Sequence, residues 1–300
     1  MIDVKALPKV KGEYKFAEPM KRHTWLNVGG NAEVMFLPHD KDDLQYFLQN
    51  IDEKIPVFVL GGGSNLLVRD GGIDGVVIKL KNKNFASLKF ENGLLFCGAG
   101  LQNGNLKKFL IEHEIGGLEF ICSIPGTIGG LVRSNAGCFG SELVNVLEKA
   151  VVMNRKGDVF EVNPEEFHFS YRHSDFPADW IILELVFKTV KSTAQQVNQT
   201  ITEQAEYRRT HQPQNIRTAG STFKNPPQSA AWKLIKAVGG DTLKIGGASF
   251  SPQHCNFLVN DGTASAEDIE TLGNTVIERV KKQENISLVW EVKIIGKHKK

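Results

Sequence analysis

The sequence predicts an α+β chain in two parts, a β-rich N-terminal unit followed by a smaller mixed unit. Short apolar, β-branched runs bounded by glycine crowd the first two thirds. After residue 190 the composition turns polar and helix-compatible. A long amphipathic pattern with its own capping signature lies near the C-terminus. With 300 residues the chain has length for two domains or one large one.

The elements follow in order. "HTWLNVGGNAEVMFLP" places Thr24 and the Gly29–Gly30 pair where a strand must pass close to something flat or bulky, a structural role. "DDLQYFLQNI" (42–51) is a helix with Leu44, Phe47, Leu48 and Ile51 on one face. "IPVFVL" (55–60), "GVVIKL" (75–80) and "LLFCGAG" (94–100) read as strands. "KAVVMNRKGDVFEV" (149–162) is a hairpin whose Asn-Arg-Lys-Gly-Asp supplies the turn, and "DWIILELVFKTV" (179–190) is a further strand. The polar run up to Pro213 connects to the second unit. There "SAAWKLIKAVGG" (229–240) is a helix closed by a double glycine. In the final helix Ser265 and Asp268 form a capping box, and Ile269, Leu272, Val276 and Val280 make one apolar stripe. No internal repeat is found.

Bulk properties narrow the function. Hydrophobic content of 41% and charged content of 23% suit a soluble globular protein, and a net charge of +2 calls for neither nucleic acid nor an anionic membrane. Cys97, Cys122, Cys138 and Cys255 are widely spaced with no CxxC pair, so free thiols are expected rather than a disulfide framework, and no metal site. No apolar run reaches membrane-spanning length, and the expectation is a cytoplasmic protein.

Two glycine loops carry the first chemical signal. "VLGGGSNLLV" sets Gly61, Gly62 and Gly63, then Ser64 and Asn65, directly after an apolar strand. Such glycines let a ligand approach the backbone, and successive N–H groups make a nest for phosphate oxygens. A tight turn between strands would read the same way. "SIPGTIGGLVRSNAGCFG" (123–140) adds a second loop, fixed at its start by Pro125. Neither loop is a Walker A or a G-x-G-x-x-G behind a strand. Two cradling loops of different pattern point to a large dinucleotide held along its length.

Three residues are candidates for chemistry. Arg172, in "FHFSYRHSDF", could bind a carboxylate bidentately or pair with Asp175 at the surface. Ser221, in "RTAGSTFKNPP", has no G-x-S-x-G elbow, so a hydrolase nucleophile of that kind is unsupported. It is either a proton donor or a turn or N-cap serine before Pro226–Pro227. Glu291, in "LVWEVKIIG", lies on an alternating strand whose periodicity does not say which face it takes.

These stretches, with "HCNFLVN" and in this order, closely resemble the UDP-N-acetylenolpyruvoylglucosamine reductase (UDP-N-acetylmuramate dehydrogenase) family from about residue 20 to 297. The resemblance implies two FAD-binding subdomains of the vanillyl-alcohol-oxidase (PCMH) type, 1–80 and 81–195, followed by a smaller α/β substrate-binding domain, 203–300. Gly61, Gly62, Gly63, Ser64 and Asn65 would cradle the FAD diphosphate. Pro125, Gly126, Ile128, Gly129, Asn135 and Gly137 would line the flavin and the rest of the dinucleotide. FAD would be bound non-covalently, so His23 and His173 carry no linkage.

The implied reaction has two halves, hydride passing from NADPH to FAD and then to the terminal vinyl carbon of an enolpyruvyl ether on UDP-N-acetylglucosamine. The carbon beside the carboxylate takes a proton, and developing charge on that carboxylate must be stabilised. By similarity Arg172 and Glu291 sit at the carboxylate and Ser221 is the proton donor. Tyr171, Lys224 and Asn225 would bind substrate, and Arg208 and Arg209 could also face its diphosphate. Such an enzyme serves peptidoglycan precursor synthesis, and through it cell-wall biogenesis, cell shape and division. Its partners would be small molecules, with neither nucleic acid nor membrane, and the chain a monomer. Ser134 and Phe139 stand where the family often has methionine and tyrosine, and the short stretch between Tyr171 and Glu291 resembles compact members lacking an extra substrate-covering loop. Rival readings are another FAD-dependent oxidase of the same cofactor fold and a non-catalytic nucleotide-binding protein.

Overall fold

The apolar runs bounded by glycine become strands in the computed structural model, which describes residues 2–299. The chain divides into two units, each assembled from separated stretches. The first comprises Met1–Phe16, Val34–Gly62 and Gly75–Tyr207, and the second Ala17–Glu33, Gly63–Asp74 and Arg208–Lys300.

In the first unit a five-stranded antiparallel sheet runs in the order Val159–Val162, Leu147–Met153, Ile181–Lys188, Leu94–Gly98 and Leu88–Glu91. Its central strand, Ile181–Lys188, is buried along most of its length, which explains a continuous apolar run where a half-exposed strand would alternate. A second sheet has the order Glu13–Pro19, Asn31–Leu37, Ile73–Lys79 and Val57–Leu60, the last two strands parallel. Helix Lys41–Asn50 starts at Asp40, whose carboxylate accepts the Asp43 N–H at 2.9 Å, and it buries Leu44, Phe47 and Leu48. Phe47 meets Phe36 with ring centroids 4.5 Å apart. Each such wholly buried apolar side chain contributes about 1.5–3 kcal/mol. Asp43 is buried too, yet its carboxylate accepts N–H groups from Lys11, Gly12 and His39 at 2.7, 2.9 and 3.0 Å, which offsets desolvation.

The second unit is built on an antiparallel sheet in the order Arg217–Ser221, Phe257–Asn260, Ala248–Phe250 and Lys244–Ile245. Helix Ala266–Glu284 packs on it through Ile269, Leu272, Val276 and Val280, all buried. The capping box forms as expected, Ser265 Oγ accepting from Asp268 N at 3.0 Å and Asp268 Oδ2 from Ser265 N at 2.8 Å. Asn285 ends the helix in the left-handed region at φ 55°. Leu66–Val68, from early in the chain, pairs in parallel with Lys293–Ile295 from its end. Beside that pair Arg69 grips Glu270 bidentately, Nε to Oε2 at 2.9 Å and Nη2 to Oε1 at 2.8 Å. The polar connector expected after residue 190 is helix Ala194–His211, which buries only Val197 and Ile201.

Candidate active site

Strand Val57–Leu60 delivers the chain into the loop Gly61–Asn65. Gly63 takes φ 66°, a left-handed conformation that a side chain would strain. Among the described residues the successive N–H groups of Gly62 and Gly63 have no acceptor. Unpartnered N–H groups around a left-handed residue form an anion nest. The second glycine loop crosses the first within the same unit, where a Cβ on Gly62 would lie 2.6 Å from Gly126 Cα. Gly62 and the turn at Gly126 are therefore one backbone surface. The free N–H groups beside it fit an FAD diphosphate, because they are donors that phosphate oxygens need.

Each loop has its own anchor. Asn103, 1% exposed, donates its backbone N–H to Gly126 O and its Nδ2 to Ile124 O, both at 3.0 Å, and so fixes the turn through Pro125. Asn65 Nδ2 donates to Glu291 O at 3.1 Å while Asn65 O accepts from Lys293 N at 3.1 Å, tying the end of the first loop to the segment of Glu291. Ile128 and Asn135 are 0% exposed. Gly129 is only partly buried, and Gly137 is closed in behind its own hairpin.

Tyr171 and Arg172 form the two-residue tip of a hairpin, Phe169–Ser170 with His173–Ser174. Arg172 is itself left-handed at φ 53°, an outlier of the kind found where function fixes the backbone. Its Nη2 donates to Gly137 O at 2.6 Å and its guanidinium lies 5.3 Å from the exposed Tyr171 ring. Asp175, the surface partner considered for Arg172, accepts the His168 N–H at 2.8 Å and closes the hairpin base. Phe139, standing where the family often has tyrosine, holds φ 53° and meets Tyr207 edge-to-face at 5.7 Å.

Ser221 ends strand Arg217–Ser221 opposite Phe257, where the register shifts after left-handed Gly220. It is thus at a bulged strand end and not at a helix N-cap, and bulges re-aim the side chains they carry. Next to it Thr222 O accepts the Glu291 N–H at 2.8 Å, and Phe223 bridges to Trp290. Ser221 and Glu291, far apart in sequence, are brought near each other in the second unit through Thr222, although Glu291 precedes strand Lys293–Ile295 and does not lie on a strand as its alternating pattern suggested. Glu291 is half-buried, while its flanking Trp290 lies on the final helix at Gly273, where any Cβ would sit 2.1 Å from the indole. Lys224 extends this pairing through its N–H to Val289 O at 2.9 Å. Asn225 Oδ1 accepts the Ala231 N–H at 2.9 Å, which commits that oxygen to the start of helix Ala231–Ala237.

Several supporting residues carried no signal of their own in the sequence. Asn256 of "HCNFLVN" is 3% exposed and clamps Phe223 on both sides, Oδ1 accepting its N–H at 3.0 Å and Nδ2 donating to its O at 2.9 Å. Thr222 Oγ1, also buried, accepts the Leu258 N–H at 2.9 Å. Arg133 donates to the carbonyls of Phe176, Pro177, Ala178 and Trp180. Burial pushes the Cys122 thiol up to about 12, with Glu119 adding to it, so this cysteine is no nucleophile at neutral pH. Among the described residues no cluster of His, Cys, Asp and Glu could hold a metal, and no helix is long and apolar enough to cross a membrane.

Known proteins are similar to this chain over most of its length. Residues 32–163 match an FAD binding domain, and residues 212–295 match the C-terminal domain of UDP-N-acetylenolpyruvoylglucosamine reductase. The chain is 43% identical over 291 residues to the UDP-N-acetylenolpyruvoylglucosamine reductase of Bradyrhizobium sp. (strain ORS 278), covering 97% of this chain and 95% of that one. For the protein of that name from Rickettsia massiliae (strain Mtu5) the identity is 44% over 292 residues, covering 97% and 99%. The crystal structure of UDP-N-acetylenolpyruvylglucosamine reductase from Thermus caldophilus aligns with a TM-score of 0.81 at 31% identity, covering 95% of this chain and 99% of that one.

Proposed function

The chain belongs to the UDP-N-acetylenolpyruvoylglucosamine reductase family, and from that premise we propose that it reduces the enolpyruvyl ether of UDP-N-acetylglucosamine to the lactyl ether, UDP-N-acetylmuramate, at the expense of NADPH. The reaction is a step of peptidoglycan precursor synthesis. FAD, held without a covalent bond on the surface made by Gly61–Asn65 and the Pro125–Gly129 loop, supplies a two-electron carrier between the pyridine nucleotide and the sugar nucleotide.

The chain's own residues handle charge and the proton. An enol ether accepts hydride at its terminal carbon only if the carboxylate on the neighbouring carbon can take up the charge that develops. Arg172 places a permanently charged guanidinium for that carboxylate. Glu291 hydrogen-bonds the same carboxylate in the intermediate, acting there in its protonated form. Ser221 gives its hydroxyl proton to the carbon beside the carboxylate, completing addition of one hydride and one proton across the double bond. Tyr171, Lys224 and Asn225 hold the substrate. The division into cofactor-binding subdomains 1–80 and 81–195 and a substrate domain 203–300, a cytoplasmic location and a monomeric state belong to the same proposal.

The pairing of Thr222 with Glu291 supports this reading most, because Thr222 directly follows the proposed proton donor and its carbonyl accepts the N–H of the proposed glutamate. The test is an anaerobic titration followed by flavin absorbance, adding NADPH first and the enolpyruvyl UDP-sugar second. Bleaching followed by recovery on the second addition is expected. Bleaching without recovery would leave a flavoprotein with another acceptor and would remove Ser221 from its role.

A further inference from the structure

A hairpin of two residues per strand does not hold its own shape, so something must fix the tip that carries Arg172. At its base the support is ordinary, with Asp175 capping His168 and Phe167 packed 4.8 Å from Phe176. At its tip the support comes from two residues of the glycine-rich segment. Asn135 Nδ2 donates to Ser170 O at 3.2 Å, and Gly137 O accepts from Arg172 Nη2 at 2.6 Å. Positions two apart on one segment thus hold positions two apart on the other.

Asn135 is unusually well prepared for this. It is wholly buried and left-handed at φ 40°. Its Nδ2 also donates to Glu142 Oε2 at 2.8 Å, and its Oδ1 accepts the Val144 N–H at 3.1 Å. A carboxylate needs the amide nitrogen facing it and an N–H needs the oxygen, so the two neighbours fix the amide's orientation and aim its second hydrogen at Ser170. All three bonds are made inside the chain, and both amide hydrogens are committed there.

We propose that Asn135 is a positioning residue for Arg172: Glu142 and Val144 orient its amide, the amide holds the Ser170 carbonyl, and the turn that follows presents the guanidinium. This rests on Arg172 being the group that meets the substrate carboxylate. A displacement of about 1 Å at such a group can cost on the order of 100-fold in rate.

The test uses FAD-loaded enzyme and four variants. Asn135→Gly keeps the left-handed backbone and removes the amide. It should slow reoxidation by the enolpyruvyl substrate about 10- to 100-fold beyond any change it makes in flavin reduction by NADPH, and weaken substrate binding. Arg172→Ala, alone and combined with Asn135→Gly, completes a double-mutant cycle. If Asn135 acts through Arg172, the double variant reoxidises no slower than Arg172→Ala. Additive losses would overturn the inference, whereas unchanged kinetics in Arg172→Ala itself would instead overturn the role given to Arg172. The pair Asn135→Asp with Glu142→Gln keeps the bond between those positions with its donor reversed and keeps an acceptor for Val144, but offers Ser170 no donor. It should restore melting temperature and flavin content and still reoxidise slowly. Recovery of reoxidation along with melting temperature would show a merely structural role and refute the inference, even if Asn135→Gly does not fold.

Discussion

Replacing Gly62 by alanine isolates what the crossing of the two glycine loops does. The new Cβ would sit 2.6 Å from Gly126 Cα, and ordinary contact begins at 3.4 Å, so the loops must part by about 0.8 Å. Both sides of that contact are backbone, which leaves no flexible side chain to yield. Overpacking of this kind costs about 1–3 kcal/mol. The anion nest is built from the same loop, so the cost falls mainly on the state in which phosphate oxygens hold the loops in place. Converted at about 1.4 kcal/mol per tenfold, FAD should bind about 5- to 150-fold more weakly. The assay is titration of apoprotein with FAD, followed by flavin fluorescence, beside a thermal melt of the apoprotein. Gly104→Ala serves as control, because nothing lies within 4 Å of its Cβ position. If Gly62→Ala bound FAD like the wild type while Gly104→Ala did too, the crossing would have no part in holding the cofactor and the argument would be refuted.

Ser221→Ala should reduce its flavin with NADPH at nearly the wild-type rate but slow reoxidation by the sugar nucleotide by about 100- to 10,000-fold in stopped flow; equal losses in both halves would end the proton-donor assignment. Asn256→Ala leaves the N–H and C=O of buried Phe223 without partners and should cost about 2–4 kcal/mol in urea unfolding, a loss under about 1 kcal/mol contradicting the clamp. Glu270→Gln should destabilise the protein by about 1 kcal/mol at neutral pH through loss of the Arg69 fork. Arg69 holds the Glu270 carboxyl below its ordinary value of 4.5, so the wild type has this contribution above that pH and loses it as the pH falls through the depressed value. The gap between wild type and variant should therefore narrow below about pH 4.5, and a gap constant with pH would refute the assignment.

Much of this was readable from the residues, for identifiable reasons. The strands at 55–60, 75–80, 94–100 and 179–190 and the helix with Ser265 and Asp268 formed because their patterns are local: a run, a cap, a stripe. The α+β class followed from the order of strand and helix patterns, a large dinucleotide from the two glycine loops, and FAD from the family resemblance. What periodicity could not reveal was pairing across long separations. Nothing near Glu291 announces that its N–H meets Thr222, or that Asn65 holds its carbonyl. Ser221 read as either a turn serine or a proton donor because the bulge after Gly220 depends on Phe257, a strand away. Asn103, Asn135 and Asn256 look like loop asparagines in the sequence, and only their burial and the long-range bonds their side chains make distinguish a clamp from a turn.

The parallel pair Leu66–Val68 with Lys293–Ile295 also sets a timetable for synthesis. Residues 66–68 leave the ribosome long before their partner, residues 293–295, has been made. At about 5–20 residues per second, the wait is on the order of 10–50 s. Through it Leu66, Leu67 and Val68, all buried in the finished protein, remain an apolar strand with an open edge. The second unit therefore closes only once residues 293–295 have emerged. A chain released short of residue 293 would keep its nucleotide loops but carry a permanently unpaired strand, a marked target for chaperones and proteases.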